Sequence, residues 1–205
     1  MTFLDKILQR WRIAKARPFL PHQGRVLDIG SADGALFRQV DVLGSGCLGI
    51  DPTLRENVEG KGYRLIAGEF PRDMPPVQPF AAITMLAVLE HFPAIAYDAL
   101  VEGCRRFLEP GGRIIITVPS PAVDHVLKVL GALRLVHGMS LEQHHGYQVH
   151  QTTKIFCLPA FQLVHHSGFQ LGLNHLFVFE AGDTKAGREM ALVAGKGLSN
   201  GTFRV

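Results

Sequence analysis

Between Gly24 and Pro119 the chain alternates short apolar, β-rich runs with helical or loop segments. Five of these runs predict strands, at 25–30, 46–51, 62–67, 80–85 and 112–118. Strands that alternate with helices build a mostly parallel sheet, because each connection must cross one face of the sheet. Continuous apolar runs also suit parallel strands, which are buried on both faces. The alternation therefore predicts an α/β fold with a doubly wound sheet.

The other segments complete the predicted fold. Residues 93–108 carry apolar side chains at helical spacing, with Pro93 in the first turn and Pro110 beyond the end, so they predict a crossover helix. Further helices are predicted at 33–43, 123–136 and 154–167, the last stopped by Gly168. Strands at 169–180 and 189–195 predict a hairpin that turns at 182–185. The expected sheet is Rossmann-like, with seven strands, mostly parallel and with an antiparallel C-terminal hairpin strand.

Length and composition favour one packed domain. A chain of 205 residues with 47% apolar and 19% charged residues suits a single globule. We take 1–205 as one domain, with an N-terminal helical arm (1–22) and an insertion (120–153) expected to form an acceptor pocket or a lid. The three cysteines are scattered and include no Cys-x-x-Cys pair, so neither a disulfide framework nor a zinc ribbon is predicted.

The charge of the chain argues against nucleic-acid binding, because the formal net charge is only +3. Residues 1–25 hold six basic residues against Asp5 alone, a local net of 6 − 1 = +5. This arm could bind anions, but an amphipathic helix explains the same pattern, with apolar side chains packed inward at Phe3, Leu4, Ile7, Leu8 and Trp11. Charges begin at Asp5, and no run approaches the ~18 apolar residues that span a bilayer, so a cytoplasmic protein without a membrane span is expected.

The segment 26–34, Val-Leu-Asp-Ile-Gly-Ser-Ala-Asp-Gly, is the most informative in the chain. A strand that ends in glycine and opens into a helix brings backbone N–H groups close to a ligand at the carboxyl edge of the sheet. Glycine at 30 and 34 does not match the Gly-x-Gly-x-x-Gly spacing of dinucleotide sites. Asp28 would repel a diphosphate but could orient an ammonium group. The segment therefore disfavours a diphosphate site.

A second carboxylate, Asp51, ends the next strand about 20 residues further on, where an acidic residue can accept hydrogen bonds from both ribose hydroxyls. Pro52 follows it directly. The alternative is that Asp51-Pro52 only terminates the strand.

Four segments together resemble the class I S-adenosylmethionine-dependent methyltransferase family, and within it the type 11/12 methyltransferase domains. They are Val-Leu-Asp-Ile-Gly-x-x-x-Gly at 26–34, Gly-Ile-Asp-Pro at 49–52, Leu-Glu-His at 89–91 and Leu-Glu-Pro-Gly-Gly-Arg-Ile-Ile-Ile-Thr-Val-Pro at 108–119. Their order and spacing carry the resemblance, and no single motif does. The implied cofactor is S-adenosylmethionine.

The resemblance also implies a set of cofactor-binding residues. The methionine portion of the cofactor would be lined by Asp28, Gly30, Ser31 and Gly34, and the ribose would be held by Asp51 beside Pro52. Adenine would be bordered by Gly68, Glu69 and Phe70, and the amino-acid end approached by Leu86 and Ala87. Two departures from the family pattern are Ser31-Ala32 in place of Cys-Gly or Gly-Gly, and Glu69 in place of Asp.

Methyl transfer needs alignment and, for a hydroxyl acceptor, removal of a proton, for which a side chain with a pKa near neutrality is suited. The candidate catalytic residues are His91, His145 and Tyr147, with His144 and His150 close by in the sequence. Alternatively, His91 and Glu90 cap the following helix. His165 and His166 could likewise stabilise the negative end of the helix predicted at 154–167. No metal is predicted, because these histidines lack an acidic partner at a recognisable spacing.

The expected reaction is methylation of a small molecule at oxygen or carbon. A catalytically silent S-adenosylmethionine-binding or interaction domain is one alternative, and an RNA or protein methyltransferase that uses the basic arm is another. Residues 85–88, Met-Leu-Ala-Val, do not resemble the Asn-Pro-Pro-Tyr run of nucleic-acid amino methyltransferases. The sequence does not predict the oligomeric state.

Overall fold

A computed structural model describes residues 3–41, 43–120, 147–157 and 159–182. Its strands are β1 (Val26–Ile29), β2 (Cys47–Asp51), β3 (Val58–Gly60), β4 (Tyr63–Ala67), β5 (Phe80–Leu86), β6 (Leu108–Pro119), β7 (Phe161–Phe169) and β8 (Asn174–Ala181). Its α-helices are α1 (Phe3–Ala16), α2 (Ala35–Gln39), α3 (Tyr97–Phe107) and α4 (Thr152–Ile155). Short 3-10 turns lie at Arg17–Phe19, Leu89–His91, Ala94–Ala96 and Val149–Gln151.

The strands form one sheet in the order β3-β4-β2-β1-β5-β6-β8-β7. The five central strands from β4 to β6 are parallel, whereas β3 is antiparallel to β4, and β8 is antiparallel to both of its neighbours. The predicted Rossmann-like, mostly parallel sheet with an antiparallel C-terminal strand is confirmed. Six of the seven predicted strands fall in the described residues, which contain eight, because the segment 52–60 includes the short edge strand β3 and the segment 161–169 forms β7.

The helix predicted at 154–167 is wrong. Only α4 is helical there, and β7 runs from Phe161 to Phe169, paired along its length with β8. β7 and β8 therefore form a hairpin that turns at 170–173, and Gly168 lies inside a strand, whereas the turn predicted at 182–185 extends beyond the described residues. Pairing with a neighbouring strand decides the structure of such a segment more strongly than its local pattern does. The predicted helix 123–136 and strand 189–195 lie outside the described residues.

Helices cover both faces of the sheet, as the alternation predicted. On one face α3 packs Leu100, Cys104 and Phe107 against β5 and β6. On the other face α1 and α2 bury Ile13, Ala16 and Leu36 against the same sheet. Helix α3 is shorter than the predicted 93–108, since a 3-10 turn precedes it, and α2 is shorter than 33–43. None of the helices in the described ranges is long and apolar enough to cross a membrane.

The N-terminal arm is helical as expected, but its buried stripe differs from the prediction. Trp11, predicted to pack inward, is 54% exposed. Ile13 and Ala16 are buried instead. Successive residues turn by about 100° around a helix, so a stripe that buries position 13 leaves position 11 on the opposite side.

Candidate active site

The carboxyl ends of three neighbouring strands bring most of the predicted site residues together. Ile29 of β1 is in register with Ile50 of β2 on one side and with Met85 of β5 on the other. The residues that come next in each strand or loop, Gly30, Asp51 and Leu86, therefore meet at one edge of the sheet.

The turn after β1 requires glycine at position 30. Gly30 has φ +74°, and a Cβ added there would lie 2.3 Å from Cγ2 of Val88. The loop after β5 thus packs directly on the loop after β1. The space that glycine leaves is taken by Val88, whereas the sequence suggested that a ligand would need it.

Several backbone donors of this turn are already used. The N–H of Gly30 donates to the Ile50 carbonyl at 2.8 Å, that of Ala32 donates to Asp51 Oδ2 at 2.7 Å, and that of Gly34 donates to the Ser31 carbonyl at 2.8 Å. A diphosphate site needs such groups to point freely at the ligand. These amides are therefore not free to bind a diphosphate.

Asp51 is buried and accepts three hydrogen bonds. Besides the Ala32 amide, Thr53 donates its N–H to Oδ1 at 2.8 Å and its hydroxyl to the same atom at 2.5 Å. A carboxylate offers about four lone-pair positions. Because Thr53 is exposed, its hydroxyl can turn away and release a second position on Asp51. The carboxylate can then accept two hydroxyl groups at once.

Asp28 lies beside Asp51, in the strand next to it. Its side chain is buried and accepts a hydrogen bond from the Thr84 hydroxyl at 2.6 Å. Burial raises the pKa of Asp28 to about 7; the Thr84 hydrogen bond lowers this pKa and the negative charge of Asp51 raises it. Asp28 is therefore balanced between its neutral and charged forms near neutral pH. A cation bound nearby would favour the charged form.

Ser31 is buried between the first two strands. Its hydroxyl has no hydrogen-bond partner within the described part of the chain, and it lies where a side chain at Gly49 would be, 2.6 Å from an added Cβ. Ser31 therefore faces β2, and Gly34, with φ +74°, precedes α2. Pro52 follows Asp51 on the exposed surface.

The turn after β4 is tied to β2. Gly68 donates its N–H to the Asp51 carbonyl at 3.2 Å, and Glu69 donates its N–H to Asp73 Oδ2 at 2.8 Å. The Glu69 carboxylate is exposed and pairs with Arg72 at 3.2 Å. Phe70 is buried against Phe107 of α3, with ring centroids 5.9 Å apart, so its side chain belongs to the core.

The loop after β5 contains a second backbone outlier. Ala87 has φ +60°, and its N–H donates to the Thr117 carbonyl of β6 at 2.8 Å. Ala32, in the turn after β1, has φ +43°. Positive φ in residues other than glycine is strained and clusters at functional sites. The two residues lie on two of the loops that meet at this edge, next to Asp51 and Leu86.

His91 and Tyr147 have different surroundings. His91 ends a 3-10 turn after β5, and its side chain is exposed. The N-cap residues of the following 3-10 turn and of α3, Pro93 and Ala96, make no side-chain cap hydrogen bond, and the alternative that His91 and Glu90 cap that helix stays a hypothesis. Tyr147 is buried, and its hydroxyl is 2.5 Å from the Thr152 hydroxyl. Burial raises the pKa of Tyr147, the Thr152 hydrogen bond lowers it and the Glu90 charge raises it again.

His144 and His145 lie outside the described residues, and His150 is exposed. His165 and His166, which the sequence placed on a helix, belong to β7 and cannot stabilise a helix end. Within the described ranges no three His, Cys, Asp or Glu residues are grouped as a metal site requires. A cavity of about 270 Å³ lies at the opposite, amino edge of the sheet, away from these residues, and is lined by Phe19, Leu20, Ala81, Glu109 and Arg113 among others.

Sequence reasoning missed three residues of this site: Thr53, Thr84 and Val88. A polar Thr84 in an otherwise apolar strand, opposite Asp28 in the parallel register, was the one available signal. The contacts of Thr53 and Val88 depend on loop conformation, which the sequence pattern does not determine.

Residues 3–169 match a protein family described as a methyltransferase domain. Among curated proteins, the ubiquinone biosynthesis O-methyltransferase of Xylella fastidiosa (strain M23) is 34% identical over 119 residues, covering 53% of this chain and 47% of the relative. The match thus extends over about half the length of that relative.

Solved structures share the fold. The N-methyltransferase NodS from Bradyrhizobium japonicum WM9 is 15% identical, with a TM-score of 0.63 over 87% of this chain and 99% of that one. Magnesium protoporphyrin IX methyltransferase (ChlM) from Synechocystis PCC 6803 is 15% identical, with a TM-score of 0.60 over 88% of each chain. Both proteins have been solved with S-adenosylhomocysteine.

Proposed function

Because the chain belongs to the methyltransferase domain family, we propose that it transfers a methyl group from S-adenosylmethionine to a small-molecule acceptor, at an oxygen or a carbon atom. The cofactor expected from the sequence agrees with this family and with the S-adenosylhomocysteine bound in two structural neighbours. An oxygen acceptor is supported by the curated O-methyltransferase relatives, whereas NodS is an N-methyltransferase of the same fold.

The observation that carries the proposal is the pair of buried carboxylates, Asp28 and Asp51, at the ends of adjacent strands. The Asp51 carboxylate, together with Asp28 in the charged form that a nearby cation favours, disfavours phosphate at this edge and favours a cation. S-Adenosylmethionine is positively charged at its sulfonium and amino groups and carries a ribose diol. The residues at this edge therefore fit the cofactor.

In this proposal Asp51 accepts hydrogen bonds from the two ribose hydroxyls, after the Thr53 hydroxyl has turned away. Asp28, together with the turn formed by Gly30, Ser31 and Gly34, faces the methionine portion through its charge. The backbone at 68–70 borders the adenine, and Leu86 and Ala87 approach the amino-acid end. Pro52 lies beside the ribose.

When bound, the cofactor supplies a methyl group already activated on sulfur, so this chain's residues chiefly hold the two reactants in line. His91 is the candidate to take a proton from a hydroxyl acceptor, because it is exposed just after β5 and an imidazole titrates near neutral pH. The raised pKa of Tyr147 means that its phenol keeps its proton, so it can donate a hydrogen bond but is a poor base. His145 remains a candidate from the sequence alone.

Calorimetry on the folded chain tests the cofactor assignment directly. We expect S-adenosylmethionine and S-adenosylhomocysteine to release heat with micromolar or tighter binding, and NAD to give none. Formation of S-adenosylhomocysteine with a panel of hydroxylated small molecules would then establish transfer. Tight binding of NAD without binding of either sulfur nucleoside would contradict the proposal. Binding without turnover on any acceptor, including RNA and protein, would identify a silent binding domain.

A further inference from the structure

Two histidines meet on the C-terminal hairpin. Nε2 of His166, in β7, is 3.2 Å from Nδ1 of His175, in β8, and the two ring planes differ by 20° at a centroid distance of 5.4 Å, so the hydrogen-bonded rings lie side by side. His166 also lies flat on Phe177, with ring centroids 4.2 Å apart and an angle of 11°. His166 is exposed and one face of its ring lies on the buried Phe177, which leaves the other face without a stacked ring from the described residues.

The pair is level with the candidate active site. In the sheet, Leu86 is in register with Thr117 and Thr117 with Leu176. His175, one residue before Leu176, pairs with Val118. His175 is therefore level with Ala87, the first residue after β5. Neighbouring strands lie about 4.8 Å apart, and β6 lies between β5 and β8, so two such spacings separate His175 from this loop by roughly 10 Å. That distance is about the length of a two-ring aromatic molecule.

Open space adjoins the pair. Residue 168, directly opposite His175 in the ladder, is a glycine without positive φ. A Cβ added to Gly168 would meet only the Gly172 Cα at 3.9 Å and the Asn174 carbonyl at 4.0 Å. Among the described residues, His175 therefore has no side chain opposite it in the ladder, and the position of Gly168 leaves a slot one residue wide beside the pair.

The hydrogen bonding of the pair defines what it can recognise. In an imidazole–imidazole hydrogen bond one ring donates and the other accepts. The two outward nitrogens are those that point away from this hydrogen bond, Nδ1 of His166 and Nε2 of His175. When both rings are neutral, one of these nitrogens carries a proton and the other a lone pair, whichever tautomer is present. Burial and the neighbouring His166 lower the pKa of His175, which favours its neutral form. Nδ1 of His166 and Nε2 of His175 have no partner among the described residues.

We propose that His166, His175 and the slot over Gly168 form the far end of the acceptor site and bind a planar aromatic acceptor that carries a hydroxyl group. The flat, open ring of His166 extends a stack that another planar ring can continue. A hydroxyl group can donate or accept a hydrogen bond, so it can pair with whichever outward nitrogen of the pair it meets. This inference rests on the proposed function, since it names the substrate class of the same site.

The test uses 2-naphthol as a probe, with binding followed by calorimetry and by shifts of the histidine ring signals in NMR at pH 8. We expect 2-naphthol to bind and to shift both His166 and His175. 2-Methoxynaphthalene lacks the donor and decahydro-2-naphthol lacks the flat ring, so each should bind several-fold to about tenfold more weakly. Equal binding of all three compounds would overturn the assignment of the ligand class.

Variants separate this site from a structural role of the hairpin. Gly168→Leu should fold, because a side chain has room there, yet it fills the slot and should weaken 2-naphthol binding at least tenfold. His166→Phe keeps the stack but removes the outward nitrogen, so it should lose the preference for 2-naphthol over 2-methoxynaphthalene. Leu171→Ala, in the fully exposed turn of the same hairpin, is the matched control and should bind as the unaltered chain does.

Parallel titrations with S-adenosylhomocysteine keep the two proposals distinguishable. If the cofactor product binds but 2-naphthol does not, or if Gly168→Leu binds 2-naphthol unchanged, the inference about the hairpin is wrong and the proposed function stands. If 2-naphthol binds at the histidines while S-adenosylhomocysteine fails to bind, the acceptor role fails together with the proposed function.

Discussion

In the half of the carboxyl edge formed by β1 and β2, buried carboxylates are held by hydrogen bonds of 2.5 to 2.8 Å from neighbouring residues. In the half formed by β8 and β7, an exposed imidazole pair stands over a buried phenylalanine, with open space beside it. The first half is fixed in advance, and the second offers surfaces to which a ligand can add.

This difference matches the chemistry that each half would serve. A site that always binds the same cofactor can be preorganised. Binding is then tighter, because the polar groups of the site are already arranged when the chain folds. An acceptor differs from one methyltransferase to another, and the related proteins methylate different atoms on the same fold. We therefore expect substitutions in the β1–β2 half to change cofactor affinity, and substitutions in the hairpin half to leave it unchanged.

The largest effect is expected at Asp51. Asp51→Ala removes the acceptor of two proposed ribose hydrogen bonds, each worth about 1.5 to 3 kcal/mol to a charged group, so S-adenosylmethionine affinity should fall ~100-fold or more. Calorimetry measures the change, and Asp51→Asn, which keeps one acceptor oxygen, should lose less. Thr53→Val, which removes only the competing hydroxyl, should change the affinity less than tenfold. Near-unaltered binding by Asp51→Ala would remove the distinction between the two halves.

Asp28 should give the β1–β2 half a pH dependence. Its pKa is raised from 3.8 to about 7 in the fold, so between these values the folded chain holds a proton that the unfolded chain releases. The contribution of Asp28 to the free energy of unfolding therefore falls as pH rises from about 4 to about 7, and levels off above.

Asp28→Asn keeps an acceptor for Thr84 and removes this titration. The variant should gain stability relative to the unaltered chain across that pH range, on the order of a few kcal/mol in total. Urea denaturation at pH 4 to 8 would show it. Parallel stability curves for the two proteins would mean that Asp28 does not hold its proton in the folded state.

A smaller effect is expected at Tyr147, beyond the carboxylate half. Tyr147→Phe removes the buried hydrogen bond with Thr152 and should lower the free energy of unfolding by about 1 to 3 kcal/mol, because a buried hydroxyl loses its partner. Adding Thr152→Val should cost little more, which reveals a coupling of about 1 kcal/mol in a double-mutant cycle. S-Adenosylhomocysteine affinity should stay the same in all three variants. A loss of affinity would place Tyr147 in the cofactor half.

The smallest effect concerns the backbone of the loop after β5. Ala87 has φ +60°, a conformation that costs an alanine about 1 kcal/mol more than a glycine. Ala87→Gly relieves that strain but adds freedom to the unfolded chain, so the net stabilisation should be a few tenths of a kcal/mol. A thermal melt with Ala99→Gly, on the exposed surface of α3, as a destabilising control would measure it. A clear destabilisation by Ala87→Gly would show that the positive φ is not strained.

The half that the sequence predicts best is the half made of buried parallel strands. Val26–Ile29 and Cys47–Asp51 are continuous apolar runs because both of their faces are covered, and Asp28 and Asp51 stand out against them. The role of Thr84 was not predicted, because Thr84 donates its hydrogen bond to Asp28, which is distant in the sequence. The contact between Val88 and Gly30 was not predicted for the same reason.

The hairpin half was predicted poorly for a local reason. Apolar residues of β7 fall at 161, 163, 164 and 169, which is neither a clean alternation nor a clear helical stripe. The ladder with β8 explains this pattern, since Val164 is left out between the paired residues Leu163 and His165. A residue that bulges from a strand breaks the twofold alternation on which strand prediction depends.

That bulge also has a consequence for how the chain meets its own copies. β7 is the outermost strand of the described sheet and contains no charged residue, while Leu163 and Val164 are about half exposed. A regular, uncharged edge invites another chain to pair with it, and a bulge interrupts the row of amides and carbonyls that pairing needs. A chain without Val164 would keep His165 and His166 on their present faces yet carry a continuous edge. It should self-associate more strongly than the unaltered protein, as sedimentation velocity would detect.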